Sequence, residues 1–184
     1  MIIIGYPGIG KSSNTGIYET VCDGGTVSIG YIDLESHNFW NEYENVDGFG
    51  HRGHDRDPKW FETYCKIAKD LSDQGYRVFV SSHANVQREL RKYTYGDIII
   101  CYPHESLKQS WLLNLRERYI QSNWMDKNDE DKNLKALESV IENFDRDIDA
   151  MRHSGFPALE ITDTDYQLRK LIDDFYSLRK HWYE

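Results

Sequence analysis

The chain opens on an apolar run, Met1-Ile2-Ile3-Ile4, that breaks directly into "GYPGIGKSS". A short apolar run stopped by glycine predicts a buried strand that must turn sharply. The spacing Gly5-x-x-x-x-Gly10-Lys11-Ser12 suits a loop that curls so its N–H groups converge on phosphate oxygens. Gly5, Gly8 and Gly10 supply the curl, and Gly5, Gly8, Ile9, Gly10, Lys11, Ser12 and Ser13 form the cradle. The pattern predicts a helix carrying Lys11 and Ser12, whose N-terminal dipole would favour an anion. Lys11 would reach the terminal phosphates and the Ser12 hydroxyl would ligate Mg²⁺. The plain alternative is a glycine turn with a surface lysine.

Four further strands are expected: Thr26–Leu34, Arg77–Ser81, Asp97–Tyr102 and Ala158–Thr162. Each is a short apolar or β-branched run bounded by Gly, Pro or Asp. Helical patterns separate them. In "DPKWFETYCKIAKDLSDQG", Asp57 is the expected N-cap, Pro58 the first helical residue and Gly75 the stop. Trp60, Tyr64, Ile67, Ala68 and Leu71 recur at helical spacing. So do Leu107, Trp111, Leu112, Leu115 and Tyr119, and then Leu134, Leu137, Ile141, Phe144, Ile148 and Met151. A last helix closes the chain. This alternation predicts one three-layer α/β domain over residues 1–184 with a five-stranded parallel sheet. Two polar stretches interrupt it, 36–56 and 120–133, and long loops of this kind are often lids or substrate loops.

Composition limits the partners. Lys+Arg 22 against Asp+Glu 31 leaves a net charge of −9. An acidic chain lacks the basic footprint that extended nucleic acid requires. The cysteines, Cys22, Cys65 and Cys101, are widely spaced and odd in number, which suits buried thiols in a reducing compartment. There is no basic, apolar leader and no run long enough to span a membrane. A cytoplasmic protein is expected.

With its cradle and order of elements, the chain resembles the small P-loop kinases, the group that includes nucleoside monophosphate kinases, shikimate kinase and gluconate kinase. The stretch "DIIICYPHESLKQSWLLNLRERY" is similar to their strand, helix and arginine-bearing lid, and to small nucleotide-kinase-like proteins of bacteriophages and their hosts. The resemblance implies a strand order of 2-3-1-4-5, ATP as donor, Mg²⁺ as cofactor and a small acceptor, most simply a nucleotide or nucleoside. Other P-loop classes fit less well. No NKxD motif is present for a GTPase. Strand three ends in Ser81, Ser82 and His83, where a motor-type ATPase would carry an acid.

The remaining site candidates follow from geometry. At about 100° per residue, Arg118 continues the stripe of Leu107, Trp111 and Leu115, while Arg116 falls nearly opposite. Arg118, with Arg116 as second candidate, would neutralise the transferring phosphoryl group from a lid over 116–133. Snorkelling or a structural ion pair is the competing role for Arg118, and a solvated face for Arg116. Asp33 ends strand two, at the edge where open parallel sheets bind ligands. It is the candidate base or metal-organising acid, with Glu35 in reserve. His83 and Asn85 leave the end of strand three, and Arg88 and Arg91 lie one helical turn apart, spaced to clamp an acceptor phosphate. A non-nucleotide metabolite as acceptor, or a nucleotide-binding interaction protein without catalysis, are the rival readings. The 36–56 stretch, with Trp40, Tyr43, His51 and His54, would close over the acceptor; a zinc site at His51-x-x-His54 lacks the further paired ligands it would need.

Overall fold

The computed structural model describes residues 1–22, 25–39, 59–93, 97–122 and 127–180. The fold is α/β. Six strands form a mixed sheet flanked by helices: β1 (Ile2–Gly5), β2 (Gly16–Cys22), β3 (Gly25–Asp33), β4 (Arg77–Ser81), β5 (Ile98–Pro103) and β6 (Ala158–Ile161). Their order is β2-β3-β4-β1-β5-β6. Among the described residues, five α-helices accompany them: α1 (Trp60–Asp73), α2 (Ala84–Leu90), α3 (Lys108–Ile120), α4 (Lys127–Arg152) and α5 (Leu168–Lys180).

Strand count and order therefore differ from the expectation of a five-stranded parallel sheet. The extra strand is β2, which takes the edge beside β3 and runs antiparallel to it, from Gly16↔Tyr31 to Cys22↔Gly25. The helix expected at Lys11 and Ser12 is not formed. A single 3-10 turn, Ser12–Asn14, leads straight into β2. The local sequence explains both corrections. "SSNTG" holds no strong helix former, and "IYETV" and "TVSIG" flank "CDGG", a hairpin pattern of β-branched and aromatic residues about a glycine turn.

The chain divides into two compact units. The first comprises Met1–Ile4 and Thr15–Ile98. Here Ile2, Ile3 and Ile4 are buried together with Val78, Phe79 and Val80 of β4, and the Val78 amide donates to the Met1 carbonyl. β3 joins β4 in parallel only through its last residues, Tyr31↔Arg77 to Asp33↔Phe79. The first part of β3, Gly25 to Ser28, is exposed. Arg77 is buried across the register pair from Tyr31, donating to its hydroxyl and lying 5.2 Å from its ring centre.

Helix α1 buries Trp60, Tyr64, Cys65 and Ala68 and ends at Gln74, followed by Gly75 at φ +92°. Its described residues begin at Lys59, so the Asp57 cap and Pro58 lie outside them. Tyr64 ties the sheet to this helix. Its hydroxyl donates to the Leu34 carbonyl at 2.6 Å and accepts from the Ser81 amide at 2.9 Å. One phenol thus joins the chain just after β3 to the last residue of β4. Tyr64→Phe leaves both backbone groups without this partner, and the expected cost is about 1–3 kcal/mol. Urea denaturation checks it; an unchanged midpoint would show that the bridge contributes nothing.

The second unit comprises Gly5–Asn14 and Ile99–Glu184. β5 is buried along its whole length and pairs in parallel with β6, Ile100↔Ala158 to Pro103↔Ile161. On α4 the buried residues are Asn133, Val140, Phe144, Ile148 and Met151, while Ile141, expected on this face, is 58% exposed. Phe144 meets the Tyr6 ring edge-on at 5.8 Å between centroids. Leu168 and Ile172 bury one side of α5.

Candidate functional site

The glycine loop belongs to the second unit and is held from several sides. It leaves β1 with the Tyr6 amide donating to the Cys101 carbonyl of β5 at 3.0 Å. Ile9 turns inward and is buried. Gly8 and Gly10 take φ of +90° and +84°, conformations that L side chains rarely adopt. The Trp111 indole donates to the Pro7 carbonyl at 2.8 Å and stacks on Tyr166 with 6.2 Å between centroids and 10° between planes. Asn14 closes the far side. Its amide nitrogen donates to the Gly10 carbonyl at 2.7 Å, and its oxygen accepts from Arg169 Nε at 3.3 Å.

The carbonyls of Gly5, Tyr6, Pro7 and Gly10 thus accept from protein groups, and the amides of Gly8 and Gly10 donate to no protein group among the described residues. Lys11 folds back so that Nζ donates to the Gly5 carbonyl at 3.1 Å. Its charge is felt at the end of β5. Burial pushes the Cys101 thiol up to about 12, and Lys11 pulls against that rise. A side chain at Gly5 would place its first carbon 2.6 Å from Ile9 Cδ1 and 2.9 Å from Lys11 Cδ, so glycine here lets Lys11 lie across the loop.

These features fit a phosphate group: two undirected amides on left-handed glycines, and a cation laid over the loop. The missing element is the helix. Its dipole would have contributed roughly half a positive charge, so the positive charge of this loop comes from Lys11. Ser12 and Ser13 are exposed on the 3-10 turn. Among the described residues, no group of three or more His, Cys, Asp or Glu side chains is placed to hold a metal ion on its own.

Arg116 and Arg118 are both exposed in the last turns of α3. Leu115, one turn before Arg118, lies against Gly8, with 3.2 Å between its Cδ2 and the position of a Gly8 Cβ. Arg118 itself lines a cleft between α3 and α4, with Asn114, Glu117, Gln121, Ser122 and Asn133. Of the expected lid, 116–122 is the end of α3 and its turn, 127–133 belongs to α4, and 123–126 lies outside the described residues.

The acceptor-side candidates belong to the first unit. Asp33 is the last residue of β3, half-buried, in register with Phe79. His83 stands two residues beyond β4, its Nδ1 2.9 Å from Ser81 Oγ and its ring 5.7 Å from Trp60, edge-on. Phe39 and Trp60 each meet Tyr64 edge-on, at 5.1 and 5.4 Å, so an aromatic cluster backs this end of the strands. Arg88 lies on α2 and Arg91 just past its end, both exposed. The residue between them, Glu89, is buried and pairs with Lys92 at 2.6 Å. In the expected acceptor loop, 36–39 forms a 3-10 turn and 40–56, with His51 and His54, lies outside the described residues.

Sequence reasoning missed Asn14, Arg169, Trp111 and Tyr166 as supports of the loop. Trp111 was legible only as an apolar stripe residue, and nothing local marks Tyr166 or Arg169 as partners of residues more than fifty positions away. No family model matches this chain, and no curated protein or solved structure matches it either.

Proposed function

We propose that this chain binds the phosphates of ATP in the Gly5–Ser12 loop and transfers a phosphoryl group, with Mg²⁺, to a small acceptor, a nucleotide or nucleoside. One observation carries the reading: two left-handed glycines whose amides donate to no protein group among the described residues, with Lys11 Nζ on the Gly5 carbonyl. In this reading Lys11 and the loop amides hold the donor phosphates and Ser12 contributes a hydroxyl to the cation. Arg118, with Arg116 behind it, neutralises charge on the transferring group. Asp33, His83, Arg88 and Arg91 are the acceptor-side candidates; His83 is held by a hydrogen bond and a ring contact.

A second reading is favoured by a specific feature. The 3-10 turn and edge hairpin that replace the loop's helix suit a nucleotide-binding interaction protein with catalysis lost. ATP consumption with Mg²⁺, across nucleosides, nucleoside monophosphates and small hydroxylated metabolites, separates the two. The expected result is acceptor-dependent ADP release that falls about 10²–10³-fold in Lys11→Ala, the loss typical of one removed electrostatic contact at a reacting centre. ATP binding without turnover for any acceptor would favour the interaction protein, and failure to bind ATP at all would sink both.

A further inference from the structure

The helix expected after the glycine loop is absent, so whatever holds the loop's donors in place must come from elsewhere in the second unit. Helix α3 supplies a brace. Trp111 is 3% exposed, and its near-parallel stack on Tyr166 sets the plane of the indole. An indole N–H can only donate, and this one donates to the Pro7 carbonyl at 2.8 Å.

That carbonyl belongs to the Pro7–Gly8 peptide. The peptide is trans, so its C=O and N–H point in opposite directions. Holding the carbonyl against α3 therefore turns the Gly8 N–H away from α3. Gly8 is exposed, and its amide donates to no protein group among the described residues. The residue that carries the donor is thus open to a ligand arriving from solvent. Glycine is what admits the brace. Its φ is +90°, and a side-chain carbon there would lie 2.9 Å from Trp111 Nε1. The same freedom makes an unbraced glycine peptide swing between many orientations. A donor already held in place loses little further freedom when an anion binds, which favours binding.

We infer that Trp111 is a positioning residue of the loop: its N–H, acting through the Pro7–Gly8 peptide, aims the Gly8 amide at an oxygen of the bound phosphate. In this role Trp111 acts through Gly8 and not by contact with the ligand. The inference rests on the phosphate reading of the loop and names a residue outside the loop on which its affinity depends.

The test titrates ¹⁵N-labelled full chain with pyrophosphate, which offers phosphates with neither base nor sugar. The expected result in the wild type is saturable movement of the Gly8 amide signal. Trp111→Phe keeps an aromatic ring and removes the donor, and it is expected to weaken binding about tenfold, the scale of one lost hydrogen bond. Ile148→Ala opens a cavity at a buried position elsewhere in the same unit. It is expected to lower the urea midpoint at least as far as Trp111→Phe while holding the affinity within about twofold, as independent sites do. A merely structural tryptophan would make the two variants alike in affinity. If Trp111→Phe does not fold, benzothienylalanine in place of Trp111 keeps the ring size and sets sulfur where the N–H stands. The same loss of affinity is then expected with little change in midpoint. Pyrophosphate binding that is lost in Lys11→Ala yet unchanged in the Trp111 variants would overturn the inference and leave the phosphate reading standing. No saturable binding by the wild type would overturn both.

Discussion

Gly8→Val is expected to destabilise the protein by about 3 kcal/mol or more and to abolish the proposed phosphate binding, while Gly75→Ala costs only about 1 kcal/mol. Both glycines have positive φ, +90° and +92°, so both substitutions carry backbone strain on the order of 1–3 kcal/mol, least for alanine. What separates them is space. A Cβ at Gly75 meets nothing within 4 Å. A Cβ at Gly8 lies 2.9 Å from Trp111 Nε1 and 3.2 Å from Leu115 Cδ2. Trp111 cannot swing aside without breaking its bond to Pro7 and its stack on Tyr166. Overpacking of this kind typically costs a further 1–3 kcal/mol, and a branched residue gains methyls that press into the same wall.

Gly10→Ala makes the internal control. Its φ is +84°, yet the nearest atom to an added Cβ is Asn14 Nδ2 at 3.4 Å, so strain is present and collision is not. The expected order of urea midpoints is wild type, then Gly75→Ala and Gly10→Ala close together, then Gly8→Val well below. Equal midpoints for the Gly8 and Gly75 variants would mean that Trp111 does not brace the loop. ATP binding by the folded fraction of each variant then reports on the cradle separately from stability.

The same loop shows how far the sequence could be read. Gly5 to Ser12 was legible because glycine spacing encodes backbone shape directly, and the positive φ values fall at two of the three glycines named for the curl. What followed the loop was not legible from the motif. The pattern of glycines and lysine argued for a helix, whereas Ser13, Asn14, Thr15 and Gly16 argued against one. Local propensity prevailed and produced the β2–β3 hairpin. On α4 the expected Phe144, Ile148 and Met151 are buried, and Ile141 is not. Ile141 looked like a core residue by hydrophobicity, yet the buried face passes through Val140 and Phe144 and takes in the polar Asn133. A buried asparagine cannot be found by counting apolar residues. The supports of the loop were hidden for another reason. Trp111, Tyr166 and Arg169 reach it from α3, from the segment after β6 and from α5, and only tertiary structure brings them there.

Buried acids predict a second large effect, a loss of stability at alkaline pH. Burial pushes the thiols of Cys65 and Cys101 up to about 12 from an ordinary value of 9. Burial likewise raises the phenols of Tyr6, Tyr64 and Tyr166 above their ordinary 10, against the opposing hydrogen bond from the Ser81 amide in the case of Tyr64. All of these groups keep their protons longer in the native state than in the unfolded chain. Between pH 9 and 12 the native state therefore binds more protons, and stability falls as pH rises. Each pH unit above the unfolded value costs about 1.4 kcal/mol per group. The two thiols alone account for a loss on the order of 3 kcal/mol at pH 10, a large share of a typical 5–15 kcal/mol, and the phenols, about half ionised in the unfolded chain at that pH, add a smaller loss. Urea midpoints at pH 8 and pH 10, in the presence of a reducing agent, measure it. The double variant Cys65→Ala, Cys101→Ala should start less stable, because it opens two small cavities, yet lose far less between the two pH values. Equal losses in the variant and the wild type would mean that the thiols are not the source. The distinction matters because Cys101 of β5 lies within reach of the Lys11 charge, and its carbonyl accepts from the Tyr6 amide of the loop. Ionising it would place a negative charge beside the cation on which the proposed phosphate binding depends.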